Sequence, residues 1–385
     1  MFKRFMAAVA LLAASSAFGQ QSTAELEKRL RDLEARVAQV DELKREIDVL
    51  TREIESMKVG EKRAVAADQT NYGFGVAASK VYRADVGVSF GGYGEFAYEK
   101  PQNGVAVADA LRAVLYTGYK FNDRVLFNSE LEVEHGSTES AGAVSSEFAY
   151  LDFLSRPQLN YRAGLMLMPM GLVNERHEPT AYLTTHKAVT EQAIIPATWS
   201  ELGAGVFGDS GPLSYRAYVV TGLRAGGFSP EEGLREGRQG GSEALAQHGA
   251  VVGRLDWHPI EGTFVGTSLY TGKTAEGLAR VSIGEVHADS RFRGLTLRGV
   301  VARASLHGDT GELAHNLNGW YGEAGYDVNR FFTPYVRYEQ AKLNDKRRIF
   351  TAGAAFKPIS QTILKIDWQR ERHRNQANVS LGYIF

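Results

Sequence analysis

The stretch "VLFNSELEVEH", Val125–His135, decides how this chain folds. In an extended conformation Val125, Phe127, Leu131 and Val133 share one face, while Asn128, Glu130, Glu132 and Glu134 share the other. A dry core would not hold a row of carboxylates, because unpaired buried charge is so costly. An apolar face against lipid and a charged face against a wet lumen accommodate both rows. "TPYVRYEQ" repeats the pattern, with Pro334, Val336 and Tyr338 opposite Tyr335, Arg337 and Glu339. In "TILKIDWQR", Thr362, Leu364, Ile366 and Trp368 oppose Lys365, Asp367 and Gln369. "RVSIGEVHADSR" fits less well, and its register stays open.

Working outward, about sixteen runs with period-two alternation and turn residues at their ends fill the chain from Asp85 to Phe385. Their connections alternate. Tight ones such as "FNDR" from Phe121, "DSGP" from Asp209 and "KPIS" from Lys357 are followed by generally longer polar ones, such as "EHGSTESAGA" from Glu134. The expectation is an all-β transmembrane barrel of about 16 antiparallel strands over residues 85–385, with turns at one rim and loops at the other. Fourteen or eighteen strands remain open. The chain stops inside a strand, "VSLGYIF", whose Val379, Leu381, Tyr383 and Phe385 would face lipid as the last strand meets the first. Tyr383 and the terminal Phe385 also resemble the signature by which the barrel assembly machinery recognises its clients.

The amino-terminal text is different. "MFKRFMAAVALLAASSAFGQ", residues 1–20, reads as a secretory signal peptide, with Lys3 and Arg4 before a short apolar core and small residues after it. Residues 23–59 lack Gly and Pro and space Leu26, Leu30, Leu33, Val37, Val40, Leu43, Ile47, Leu50, Ile54 and Met57 as a coiled-coil seam. Such a helix is marginal alone and calls for partners along its seam, a trimer suiting a trimeric body; a helix packed on its own domain is the alternative. A polar linker, residues 60–84, leads to the barrel. The chain has no Cys, so neither disulfides nor a lipidated Cys are expected. A formal net charge of −1 gives no reason to expect nucleic-acid binding.

The long connection after Met168, "PMGLVNERHEPTAYLTTHKAVTEQAIIPATW", carries Glu175, Arg176, His177, Glu178, His186, Lys187 and Glu191. Long loops are usually functional, and a wide barrel leaves a channel to be narrowed. The expectation is a constriction loop folded into the lumen; the alternative lays it over the rim. The run "GLMLMPMGLVNERHEP", followed by "IIPATWSELGAGVFG" and a Tyr-rich strand ending in "TGL", resembles the phosphate-selective porin O and P family, most strongly over Tyr161 to Leu223. That resemblance implies a trimer of sixteen-stranded pores passing small anions, although the loop mixes Arg176, His177, His186 and Lys187 with three glutamates and matches no phosphate site residue by residue.

Inner-face acids Glu95, Glu130, Glu132, Glu134, Glu147 and Asp152 come early, whereas Arg162, Arg216, Arg254, Arg298, Arg337 and Lys365 come later with Asp256, Glu339 and Asp367 among them. These are the expected pore-lining charges, and a partly transverse field follows. His177 and Glu178 begin a zinc-protease-like pattern, but no His follows at the required spacing, so no metal, cofactor or catalytic set is expected. The reading is an outer-membrane porin for passive diffusion of small hydrophilic solutes, with its coiled coil in the periplasm. Two rivals are a tether reaching toward peptidoglycan and a barrel hydrolase.

Overall fold

In a computed structural model, Lys28 and residues 72–136, 142–372 and 374–385 are described. The signal peptide (1–20) and the first part of the linker lie outside the described residues, as does the coiled coil (23–59) apart from Lys28.

The alternation seen in the sequence becomes strands of 9 to 15 residues. They are β1 (Gly87–Pro101), β2 (Val107–Lys120), β3 (Val125–Glu134), β4 (Val144–Arg156), β5 (Leu159–Leu167), β6 (Ser200–Ser210), β7 (Leu213–Thr221) and β8 (Gly249–Ile260). The second half comprises β9 (Thr263–Lys273), β10 (Ala279–Phe292), β11 (Leu295–Gly308), β12 (Asn316–Tyr326), β13 (Phe332–Lys342), β14 (Lys346–Phe356), β15 (Thr362–Glu371) and β16 (Arg374–Ile384). Each pairs antiparallel with its neighbours in sequence, and β1 pairs with β16 from Tyr93↔Ile384 to Pro101↔Gln376. The barrel is closed with sixteen strands, so no edge is left with unpaired backbone groups. The loop rim is less uniform than the sequence suggested, because connections 343–345 and 372–373 are as short as the turns opposite.

Outward positions are apolar. Phe90, Leu131, Val219, Leu269, Val301, Val336, Ile366 and Leu381 are all exposed, a continuous surface that only lipid would cover. Near the turn rim the outward residues become aromatic: Tyr119, Phe153, Tyr161, Trp257, Phe292, Tyr326, Phe332, Phe356 and Phe385. Such a girdle marks the level of the lipid headgroups. The strand with an open register now has one. Its inward face carries Val281, Ile283, Glu285, His287 and Asp289, and the first two belong to the same buried apolar cluster as Ile194 and Ile195 of an inserted loop.

The chain end is part of the wall. The Phe385 N–H donates to the Gly92 carbonyl at 2.9 Å and the Gly92 N–H to the Phe385 carbonyl at 3.0 Å. Removing Phe385 deletes that pair at the closing seam and one member of the girdle. The yield of folded barrel, read as heat-modifiable migration on a gel, should fall, while the ion selectivity of barrels that do fold should be unchanged; equal yields would refute the role.

Candidate functional site

The interior is built from three inserted segments, and the first corrects the sequence reading. Residues 72–84, expected to end a linker, lie inside the barrel. Phe74, Ala77, Ala78, Ser79 and Val81 are buried, and Lys80–Arg83 form one helical turn against β1, β2 and β3. This plug is short and aromatic, and it is held at several points. Ala77 and Ala78 donate their N–H groups to Glu178 Oε1 at 2.9 and 3.1 Å. Asn128 Nδ2 donates to the Ala78 carbonyl, and Arg216 Nε to that of Tyr72.

The second segment runs from Met168 to Trp199 and enters the lumen with its ionisable groups turned toward different walls. His177 Nε2 lies 3.0 Å from Glu130 on β3, and His186 Nε2 lies 2.7 Å from Glu99 on β1. Glu175 faces Arg216 and Arg254 at 3.2 and 3.9 Å. Arg176 Nε donates to the Gly73 carbonyl of the plug. Glu191 accepts from the N–H groups of Leu172 and Val173 and from the Tyr321 hydroxyl. Glu175, Arg176, His177, Glu178 and Glu191 therefore hold the insert together. Of the seven residues picked from this loop, His186 and Lys187 line the cavity described below. The third segment, residues 222–248, brings Arg235 and Arg238 over the same space. Arg235 and Arg238 donate to the Ala197 and Thr198 carbonyls respectively, which fixes both guanidinium groups.

Most of the strand charges picked from the sequence point inward without lining open water. Arg162 meets Asp152 at 2.7 Å, Arg216 and Arg254 meet Asp256 at 3.2 and 2.7 Å, and Arg298 meets Asp289 at 3.0 Å. Arg337 lies 3.1 Å from Glu339, and Lys365 sits over the Tyr182 ring while donating to the Thr184 carbonyl. Glu95 holds Arg112 at 2.8 Å. The late bases, with Glu95 and Asp152 among the early acids, are thus paired locally under the inserted segments, whereas Glu132, Glu134 and Glu147 are not. Arg162 is the most connected. Its guanidinium is stacked against Phe74, Tyr150 and Phe207 and also donates to the Tyr82 hydroxyl of the plug at 2.8 Å.

A feature that the sequence reading passed over is the use of wall glycines. A Cβ on inward-facing Gly118 would strike Val81, one on Gly319 would strike Thr190 and Ile194, one on Gly325 Leu183, and one on Gly382 Pro179. These are the seats of the plug and the loop. Glycines at inward positions of otherwise regular strands were the signal available for the insertions.

A cavity of about 430 Å³ lies at the loop rim. Glu132, Glu134 and Glu147 line it from β3 and β4, and Lys187, Arg235 and Arg238 line it from the two loops. Across it Lys187 and the wall carboxylates face each other without pairing, whereas Arg235 and Arg238 have Glu236 of their own loop at 3.9 and 4.0 Å. Among the described residues, none of the three wall carboxylates has a cation within 4.0 Å, and Lys187 Nζ has one hydrogen bond, to the Thr198 hydroxyl at 3.2 Å. Burial, with Arg112 and Arg235 nearby, brings the Lys187 ammonium down to about 7. As to other chemistries, Ser214 Oγ lies 3.1 Å from His258 Nε2 near the turn rim, and among the described residues no carboxylate bonds that ring's other nitrogen. No group of three metal-ligating side chains is found among the described residues.

No family model matches the chain. An uncharacterized protein of Aquifex aeolicus (strain VF5) is 34% identical over 352 residues, covering 80% of this chain and 80% of that protein. Among solved structures, a loop-deleted form of OmpT, an outer membrane protein of Vibrio cholerae, aligns with a TM-score of 0.59 at 11% identity over 78% of this chain and 100% of that one. The anion-selective porin of Comamonas acidovorans gives 0.56 at 11% identity over 77% of this chain and 99% of that one. The outer membrane channel DcaP of Acinetobacter baumannii gives 0.55 at 11% identity over 77% and 97%. At such identities the likeness is one of fold, and the fold is that of outer-membrane porins and channels.

Because Arg162 is held in a buried ion pair with Asp152 of the neighbouring strand, Arg162→Met should strand Asp152 and destabilise the protein by about 3–5 kcal/mol. Arg162→Met combined with Asp152→Asn should recover much of that loss. Denaturant midpoints in detergent would check this, and equal midpoints for wild type and the single variant would refute it.

Proposed function

The chain belongs to the same family as the Aquifex aeolicus protein, and we propose that it is an outer-membrane pore through which small hydrophilic solutes diffuse passively. The observation that carries this is the charged cavity at the loop rim of a closed barrel whose outside is apolar. The turn rim, which holds the chain end and the start of β1, then faces the periplasm and the loops face outward. The coiled coil would lie in the periplasm beside the cell wall and suits a homotrimer.

A preference for anions, which the resemblance to the phosphate-selective porins implies, would fall to Lys187, Arg235 and Arg238, because the strand arginines are already paired. The plug and the loop from Met168 narrow the path. The proposal includes no enzymatic step. The rival that a specific contact favours is hydrolysis at Ser214 and His258; ester cleavage abolished by Ser214→Ala would support it against the pore.

Single-channel recording in a planar bilayer is the test, and absence of conductance at every voltage for the chain with residues 72–84 deleted would overturn the pore. Conductance should rise severalfold on that deletion. The Lys187 ammonium, faced by Arg112, Arg235, Arg238, Glu95, Glu132, Glu134, Glu147 and His186, loses its charge as pH rises through about 7. Anion preference, read from reversal potentials in salt gradients, should therefore increase as pH falls from about 8 to about 6. Lys187→Met should remove that lysine's share of the change; an unchanged profile would place Lys187 off the path.

A further inference from the structure

Elsewhere in the lumen each strand arginine contacts a carboxylate at 2.7 to 3.2 Å. The loop-rim cavity breaks that habit. Glu132 and Glu147 stand on one side and Lys187 on the other, without a mutual ion pair, while Arg235 and Arg238 are held by backbone carbonyls and have Glu236 of their own loop at 3.9 and 4.0 Å. Leaving opposite charges apart in a half-buried space is unfavourable unless something else completes them. One ligand with a single charge would complete one side only and would meet repulsion from the other. A molecule with a cation at one end and an anion at the other completes both.

We propose that this cavity is a binding site for zwitterions of amino-acid or short-peptide size, the ligand's ammonium against Glu132 and Glu147 and its carboxylate against Lys187 and Arg235. The volume, about 430 Å³, falls in the range of small-molecule sites and is too large for a single buried water. Ser145, Thr185, Gln192 and Thr198 supply neutral hydrogen-bonding groups along the cavity between the two charged sides. This assignment rests on the pore reading for its physiological meaning, but the binding itself does not require an open pore.

The test uses the full chain in detergent and three probes of nearly equal size: alanylalanine, its N-acetyl derivative and its amide. Isothermal titration calorimetry reads the affinity for each probe. The zwitterion should bind at least about tenfold more tightly than either singly charged derivative, as loss of one charged hydrogen-bonding partner implies. Lys187→Met should erase the advantage of alanylalanine over its amide, and Glu132→Gln with Glu147→Gln its advantage over the N-acetyl form. Equal affinities for the three probes on the wild-type protein, which needs no variant to fold, would overturn the site, as would tighter binding of the anion alone. In liposomes, swelling by arabinose with no discrimination among the probes would retain the pore and reject the site. Discrimination in detergent without arabinose flux would retain the site and reject the pore.

Discussion

Everything in this structure depends on the pairing of β1 with β16. Lipid offers no partner to a free N–H or carbonyl, so a sheet in a bilayer must close on itself. Closure at sixteen strands fixes the girth, and the girth leaves an interior that strand side chains alone do not fill. The consequence is visible in the inserted segments. They occupy the lumen, share a buried apolar cluster with inward residues of β10, β11 and β12, and leave a polar space beneath the outer loops.

Two kinds of charge arrangement then coexist. Under the insertions, guanidinium groups meet carboxylates directly, because a buried unpaired charge would not be tolerated there. Arg162 shows how far this goes, since a single side chain satisfies Asp152, caps three aromatic rings and touches the plug through Tyr82. In the remaining cavity the charges stay apart, and that is where solute contact is expected. Gly266 illustrates how closely the paired regions are fitted: a Cβ there would collide with Asp256 and His287, so a bare backbone makes room for that ion pair.

The wall was legible in the sequence because its signal is local. Alternation at Val125–Glu134, Phe332–Lys342 and Thr362–Glu371 placed the strands and gave the inward and outward faces directly. The register of β10 was not legible, since Val281 and Ile283 face inward only because a distant loop makes that part of the lumen dry. The plug was missed for a related reason. "NYGFGVAASKVYR" carries no periodicity that tells a packed segment from a linker, and its burial is conferred by Glu178, Asn128 and Arg162. Lys187 was picked out with its loop. Arg235 and Arg238 were not, because their importance lies in facing Glu132 and Glu147 across a space that exists only after folding.

The plug and the loop also divide the molecule by separation along the chain. Wall contacts other than the closing seam join neighbouring strands, whereas Glu178 reaches Ala77 across 101 residues and Thr185 reaches Asp367 across 182. Contacts that close long loops carry a larger entropic cost and form late. The hairpins between neighbouring strands then form before the contents are in place. What fills the lumen is accordingly a tenant of the barrel, free to diverge in sequence so long as the glycine seats and the ion pairs beneath it are respected.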